Sequence, residues 1–296
     1  MKKYLLGFLA ISILILGIFS WQDFSFEKIV RGIILLPSSQ MASVAASVGS
    51  PFHYTFKVDG VLDEAGKMGD SSSPYWWLNS GGQFYLKDSI GKTVQGELGQ
   101  FNKWRLVYNI ANPTDTDSGY HPQNIFRLIT RSKWQSFTQE AYFNIVKLNM
   151  SASQNRNTSN GLLFFNRYQD GNNLYYAGIR VDGAAVIKKK INGSYYTLAQ
   201  KSFYNADAPY NRDTNPNLIP GQKWIGLKSE IKTNSDNTVD IKLFIDKDKT
   251  GNWILAVEAR DDGKSFGGAA ISNEGYAGIR TDFMDVEFDD YKMVKF

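Results

Sequence analysis

Residues 160–191 read NGLLFFNRYQ, then DGNN, then LYYAGIRV, then DG, then AAVIKKKI. Three runs rich in β-branched and aromatic residues are separated by Asp-Gly pairs, and such pairs tolerate the positive φ that tight hairpin turns demand. The stretch therefore predicts consecutive antiparallel strands. Working outward, period-two alternation recurs while no segment keeps a period of about 3.6 over three turns. It predicts strands near 52–58, 84–87, 93–97, 104–109, 124–130, 137–146, 160–168, 175–181, 184–191, 194–200, 224–233, 238–246, 253–259, 276–281 and 286–295. Open twisted sheets seldom exceed about ten strands before splitting into a packed pair. The prediction is thus all-β: a two-sheet antiparallel jelly-roll sandwich behind an N-terminal hydrophobic helix. No repeat of roughly 20 to 50 residues is visible, which argues against a propeller or solenoid.

Composition narrows the function classes. The chain has 296 residues, 43% hydrophobic and 14% aromatic, enough to bury one large core. Its first 50 residues carry Lys2, Lys3, Lys28 and Arg31 against Asp23 and Glu27, leaving 29 basic and 27 acidic side chains after them. So even a balance gives no electrostatic case for nucleic acid, which wants a clustered basic face. Cysteine is absent, so disulfides, thiolate metal sites and cysteine nucleophiles are excluded.

Lys2 and Lys3 precede YLLGFLAISILILGIFSW, an apolar or small run of 18 residues. That charge order suits an export signal or a positive-inside anchor, and a span usually takes about 20 residues. Residues 1–21 are accordingly expected to be a signal peptide or membrane anchor, with cleavage left open. Residues 22–50, ending in the tract SSQMASVAASVGS, read as a linker or tether, and residues 51–296 as the β-sandwich domain. The expected location is extracellular or cell-surface, with the membrane as partner of the N-terminal segment.

The order WIGLKSEIK, NSDN, TVDIKLFID, WILAVEA, a glycine-rich loop and a closing GYAGIRTDFMDVEFDDYKM resembles the C-terminal half of concanavalin A-like lectin/glucanase jelly rolls, including laminin G-like and keto-disaccharide-hydrolase-like domains. In these the final strands read glycine, hydrophobic, glycine, hydrophobic, arginine, then paired aspartates, an aromatic, a basic and a hydrophobic residue. The resemblance covers roughly residues 136–296. It implies the fold and a superfamily of lectins, hydrolases, lyases and adhesion modules, without choosing among them. It also implies a structural calcium ion near the closing strand, with Asp289 as a ligand and an N-terminal partner in Asp59 or Asp63. Asp115-x-Asp117-x-Gly119 and Asp246-x-Asp248-x-x-Gly251 place oxygen ligands at alternate positions but lack a full EF-hand set.

Retaining glucanases of this fold carry carboxylates alternating along one strand, about 5 Å apart. Neither VEFDD at 286–290 nor KSE at 228–230 matches that spacing. A lyase instead needs a proton-abstracting Tyr or His beside a cation. The segment GYHPQNIFR at 119–127, followed by Arg131, supplies His121, Arg127 and Arg131, to which Tyr176 on a later strand is added as a catalytic candidate. Along 138–145, Thr138, Glu140, Tyr142 and Asn144 oppose Ala141, Phe143 and Ile145, and Tyr176 and Arg180 oppose Ala177, Ile179 and Val181. A polar, aromatic sheet face offers stacking surfaces and hydroxyl partners to sugars. The binding candidates are thus Glu140, Tyr142, Asn144, Arg180 and Lys188, with Trp76 and Trp77 as an aromatic platform. The leading expectation is recognition of an extracellular polysaccharide or other glycan through the concave sheet face. The alternatives are a polysaccharide-degrading enzyme, a lyase before a glycosidase, and a non-catalytic envelope component.

Overall fold

The computed structural model describes residues 40–296. The leader expected at 1–21 and most of the tether expected at 22–50 lie outside the described residues. Among those described, no helix is long and apolar enough to cross a membrane. The end of the expected tether is tied to the domain: Ser43 N donates to Ser71 O at 2.9 Å and Ala46 N to Pro74 O at 2.9 Å.

The strands are β1 (Phe52–Tyr54), β2 (Gly60–Asp63), β3 (Trp76–Ser80), β4 (Gln83–Lys87), β5 (Ile90–Lys92), β6 (Ile125–Trp134), β7 (Phe137–Leu148), β8 (Gly161–Asp170), β9 (Asn173–Arg180), β10 (Ala184–Ile191), β11 (Ser194–Ser202), β12 (Trp224–Thr233), β13 (Val239–Asp246), β14 (Ile254–Asp261), β15 (Gly275–Asp282) and β16 (Met284–Lys295). They form two antiparallel sheets. One, of nine strands, runs β14-β13-β12-β7-β16-β5-β4-β2 with β1 beside β16; the other, of seven, runs β11-β10-β9-β8-β15-β6-β3. The predicted two-sheet sandwich is therefore present, and consecutive β8, β9, β10 and β11 pair as the Asp-Gly and Asn-Gly turns require.

Alternation sorts the side chains. Along β7, Phe137, Gln139, Ala141, Phe143 and Ile145 are buried while the residues between them are half-buried. The inward rings interlock, with Phe126 stacked on Phe288 at 5.5 Å and Phe143 edge-on to Phe288 at 5.6 Å. One inward lysine closes the side of the sandwich: Lys189 Nζ lies 2.9 Å from Asp261 Oδ2 and donates to the carbonyls of Gly268 and Ala269. Tyr175 Oη donates to the same carboxylate at 2.6 Å.

Three local expectations fail for physical reasons. Residues 104–109 belong to a helix, α1 (Lys103–Ala111), instead of a strand. Asn102 caps it by accepting from Trp104 N, and Trp104, Val107 and Tyr108 bury one face at helical spacing; in six residues the two periods are not distinguishable. No strand forms at 93–97: β5 ends at Lys92, Val286 N donates to the Thr93 hydroxyl at 3.0 Å instead of to a backbone carbonyl, and Gly96 turns the chain at φ +70°. The first strand ends at Tyr54, before Phe56 at φ +53°. The short strands β2, β3 and β5 fall outside the predicted segments.

Candidate functional site

The outer face of the seven-stranded sheet is the unusual one. Leu162 and Phe164 of β8 point into the core, yet Leu163 and Phe165 on the opposite side are also buried. Those outer residues pack with Ile129, Tyr176 and Val186 into a second apolar cluster, walled by Met68, Trp77 and Tyr276. A strand covered on both faces reads as a continuous apolar run, which is what LLFF is. Half of this face is thus filled by its own side chains.

The other half is open, a hollow of about 400 Å³. Its base is crossed by Arg127 (β6), Arg280 (β15), Leu163 (β8), Tyr176 (β9) and Lys188 (β10), and its rim carries Tyr195 and the polar residues Asn155, Asn157 and Ser159. Gly178 sits beside Leu163 and Val186 in register, where a Cβ would lie 2.1 Å from Leu162 O and 2.9 Å from Leu163 Cδ2. Only glycine lets the strands pair that closely there.

Charge is unevenly settled in the hollow. Arg280 and Arg127 are Cα partners on adjacent strands. Arg280 Nε donates to both Asp282 oxygens at 2.9 and 3.1 Å, and its Nη1 reaches Tyr176 Oη at 3.3 Å. Burial would lower the Arg280 guanidinium, but Asp282 first and then the two tyrosines hold it above its ordinary value. Burial pushes the Tyr176 phenol up to about 12 against the pull of Arg280. Its neighbour Tyr195, with ring centroids 5.9 Å away, goes the other way. Burial raises that phenol, but Arg280, Tyr176 and Lys190 together outweigh it and leave it below the ordinary tyrosine value. Lys188 is lowered by burial and then by Arg180.

Of the residues expected from the sequence, Arg127, Tyr176 and Lys188 meet in this hollow. The others do not join them. His121 forms no part of the walls; its Nδ1 lies 2.9 Å from Asp117 Oδ2, and Asp117 also accepts from Ser151 and Asn124, so the group braces a loop. Arg131 Nη1 donates to the carbonyls of Ser43 at 2.9 Å and Ser73 at 2.6 Å, pinning the 40–75 segment. Arg180 is consumed by Thr158 O, Gln200 and Asp182 at 2.6 to 2.8 Å. Trp76 is 1% exposed in the core against Tyr291, while Trp77 points the other way and donates to Ala65 O, so the two form no common platform. Adjacent strand residues face opposite sides.

Glu140, Tyr142 and Asn144 do share an outward face, but on the nine-stranded sheet, across the sandwich from Tyr176. There Asn144 donates to Glu287, Glu140 lies 3.6 Å from Lys292, and Tyr142 sits 5.9 Å from the Trp253 ring under Lys249. Burial and Asp246 push the Tyr142 phenol up to about 12. The expected single binding face is therefore two faces. Arg280, Asp282 and Tyr195 complete the hollow beyond the residues expected from the sequence; Arg280 and Asp282 both lie in GYAGIRTD, where alternation with Ala277, Ile279 and Thr281 sets Arg280 outward.

The residues proposed for calcium do not fit the ion. Asp289 accepts from Lys249 Nζ and Asp290 N, and Asp59 accepts from Asp88 N at 3.2 Å. Among the described residues no group of three or more His, Cys, Asp or Glu side chains converges as a metal site would. Asp246, in the second aspartate-rich loop, is satisfied by the amides of Thr250 and Gly251.

No protein-family model matches the chain, and no curated protein matches it. Solved structures do. The carbohydrate binding module CBM66 from Bacillus subtilis is 17% identical with a TM-score of 0.41, covering 58% of this chain and 83% of that one. A Bacillus subtilis protein with a galectin-like fold is 13% identical with a TM-score of 0.45, covering 84% of this chain and 97% of that one. The Bacillus licheniformis beta-glucanase is 9% identical with a TM-score of 0.43, covering 84% of this chain and 100% of that one. The galectin-like protein and the beta-glucanase are concanavalin A-like jelly rolls, the superfamily that the closing strands resemble. At identities and TM-scores this low, the architecture stands on the strand order itself.

Proposed function

We propose that the hollow on the outer face of the seven-stranded sheet binds carbohydrate, on a protein exported from the cell and either secreted or held at the membrane by residues 1–21. The observation that carries this reading is the pairing of a half-exposed ring, Tyr195, with a polar rim of Asn155, Asn157 and Ser159 around about 400 Å³ of open space. Ligand pockets of small molecules fall in the range of roughly 300 to 1,000 Å³. A sugar needs both an apolar surface for its C–H face and amide or hydroxyl partners for its hydroxyls. The solved neighbours include a carbohydrate binding module and a glucanase, which agrees with this reading without carrying it.

Calorimetric titration with a panel of polysaccharide fragments tests it. A ring stack contributes about 0.5 to 1.5 kcal/mol, so Tyr195→Ala should weaken the best ligand roughly twofold to tenfold. Absence of binding to every fragment, or full affinity in Tyr195→Ala, defeats the proposal. Cleavage is a second reading, favoured by Tyr195 itself: a phenol that titrates low beside an arginine is suited to proton abstraction. Release of new chain ends by the protein and not by Tyr195→Phe would establish it.

A further inference from the structure

We infer that the saccharide is acidic, and that oxyanions along it meet Arg127 at one side of the hollow and Lys188 at the other; the inference rests on the binding role proposed above. Arg127 and Arg280 stand directly opposite each other on β6 and β15. Like charges in that position destabilise a sheet. Asp282 answers one of them, Arg280. Arg127 makes neither a hydrogen bond nor an ion pair among the described residues, and neither does Lys188.

The contrast within the same chain is sharp. Arg131, Arg156, Arg167 and Arg180 each donate to backbone carbonyls, and Arg156 and Arg180 to carboxylates as well. Guanidinium groups near this fold's interior are thus normally hydrogen-bonded, whereas the two cations at the base of the hollow make no hydrogen bond and feel Asp282 and Asp182 only at a distance. The other carboxylate lining the hollow, Asp115, is occupied by Ser153 Oγ at 2.5 Å and Asn155 Nδ2 at 3.0 Å. Taking a charge partly out of water costs free energy unless an opposite charge arrives, and a carboxylate or sulfate on the ligand supplies that charge through charge-assisted hydrogen bonds.

The spacing says more about the ligand. Lys188 lies on β10 and Arg127 on β6, four strand steps apart in the order β10-β9-β8-β15-β6. At about 4.8 Å per step that is roughly 19 Å between their backbones. Strand side chains stand roughly perpendicular to the sheet and do not close that gap along it, so one oxyanion does not serve both. The ligand is therefore an oligosaccharide with more than one anionic group, its rings passing over Tyr176 between the two cations.

The test is calorimetry on the full chain with four-residue fragments of polygalacturonate, sulfated dextran and dextran. Expected are binding of an acidic fragment in preference to dextran and a loss on the order of tenfold to hundredfold in each of Arg127→Met and Lys188→Met, the contribution of one hydrogen bond to a charged group. Affinity should fall with added salt, and less steeply in either variant. Arg131→Met, which lies outside the hollow, should bind as the parent does. The polygalacturonate and sulfated arms tell a carboxylate from a sulfate. Thermal unfolding of Arg127→Met at or above the parent temperature shows that the variant folds. Dextran bound as tightly as both acidic fragments, or undiminished acidic binding in Arg127→Met and Lys188→Met, overturns the inference and keeps the binding role. Binding of none of the three defeats both.

Discussion

Asp282→Asn is the most revealing single change. Asp282 is 2% exposed, and its two oxygens receive Arg280 Nε at 2.9 and 3.1 Å. Asparagine keeps the volume and removes the charge, leaving Arg280 uncompensated directly opposite Arg127. Removing one partner of a buried pair costs about 3–5 kcal/mol. The Arg280 side chain keeps 18% of its exposure, so water recovers part of that and a loss of about 2–4 kcal/mol is expected. For a domain of this size each kcal/mol moves the unfolding midpoint by about 2–4 °C, so the midpoint should fall by about 4–16 °C. Added salt should narrow the deficit, because part of it is repulsion between the two arginines. Adding Arg127→Met to Asp282→Asn should recover about 1 kcal/mol, a non-additive gain measurable in a double-mutant cycle. Differential scanning calorimetry of the parent, the two single variants and the double variant, each at two ionic strengths, provides the midpoints. A midpoint within about 2 °C of the parent for Asp282→Asn, or strict additivity of the two changes, would refute the claim that charge compensation organises this hollow.

Neighbouring lysines should respond in opposite senses: Lys189→Met breaks the buried pair with Asp261 and should cost about 3–5 kcal/mol, whereas Lys188→Met should leave stability equal or higher, and thermal unfolding reads both. The sign for Lys188 follows from its lowered folded-state value, which means that the charged form is less favoured folded than unfolded, so a neutral side chain removes a cost at neutral pH. Tyr195 gains a negative charge and Lys188 loses a positive one below their ordinary titration ranges. Affinity for an acidic fragment should therefore decline as pH rises toward about 10, with Tyr195→Phe retaining more of it, as calorimetry across that range would record. Arg131→Met should lower the unfolding midpoint by releasing Ser43 and Ser73, and hydrogen exchange should locate the loosening in residues 40–75.

Period-two alternation between Asp-Gly turns was enough to specify strands β8 to β10, their antiparallel pairing and the inward set along β7, because both the turn and the side-chain direction are local properties of the backbone. Where a segment is too short to separate the two periods, as at Trp104 to Tyr108, local pattern misleads and the Asn102 cap decides for helix. Alternation also placed Tyr142 and Tyr176 outward on their strands. It carried no information about which sheet each strand would join, and they lie on opposite sides of the sandwich. Arg127 and Arg131 differ by four positions on one strand, yet the 40–75 segment crosses over one and leaves the other bare, a fact of chain path alone. Arg127, Tyr176, Lys188 and Arg280 come from four strands spread over more than half the chain. The sequence determines which way each of these side chains points from its own strand; only the order β10-β9-β8-β15-β6, set by long-range pairing and the shared core, makes them one site.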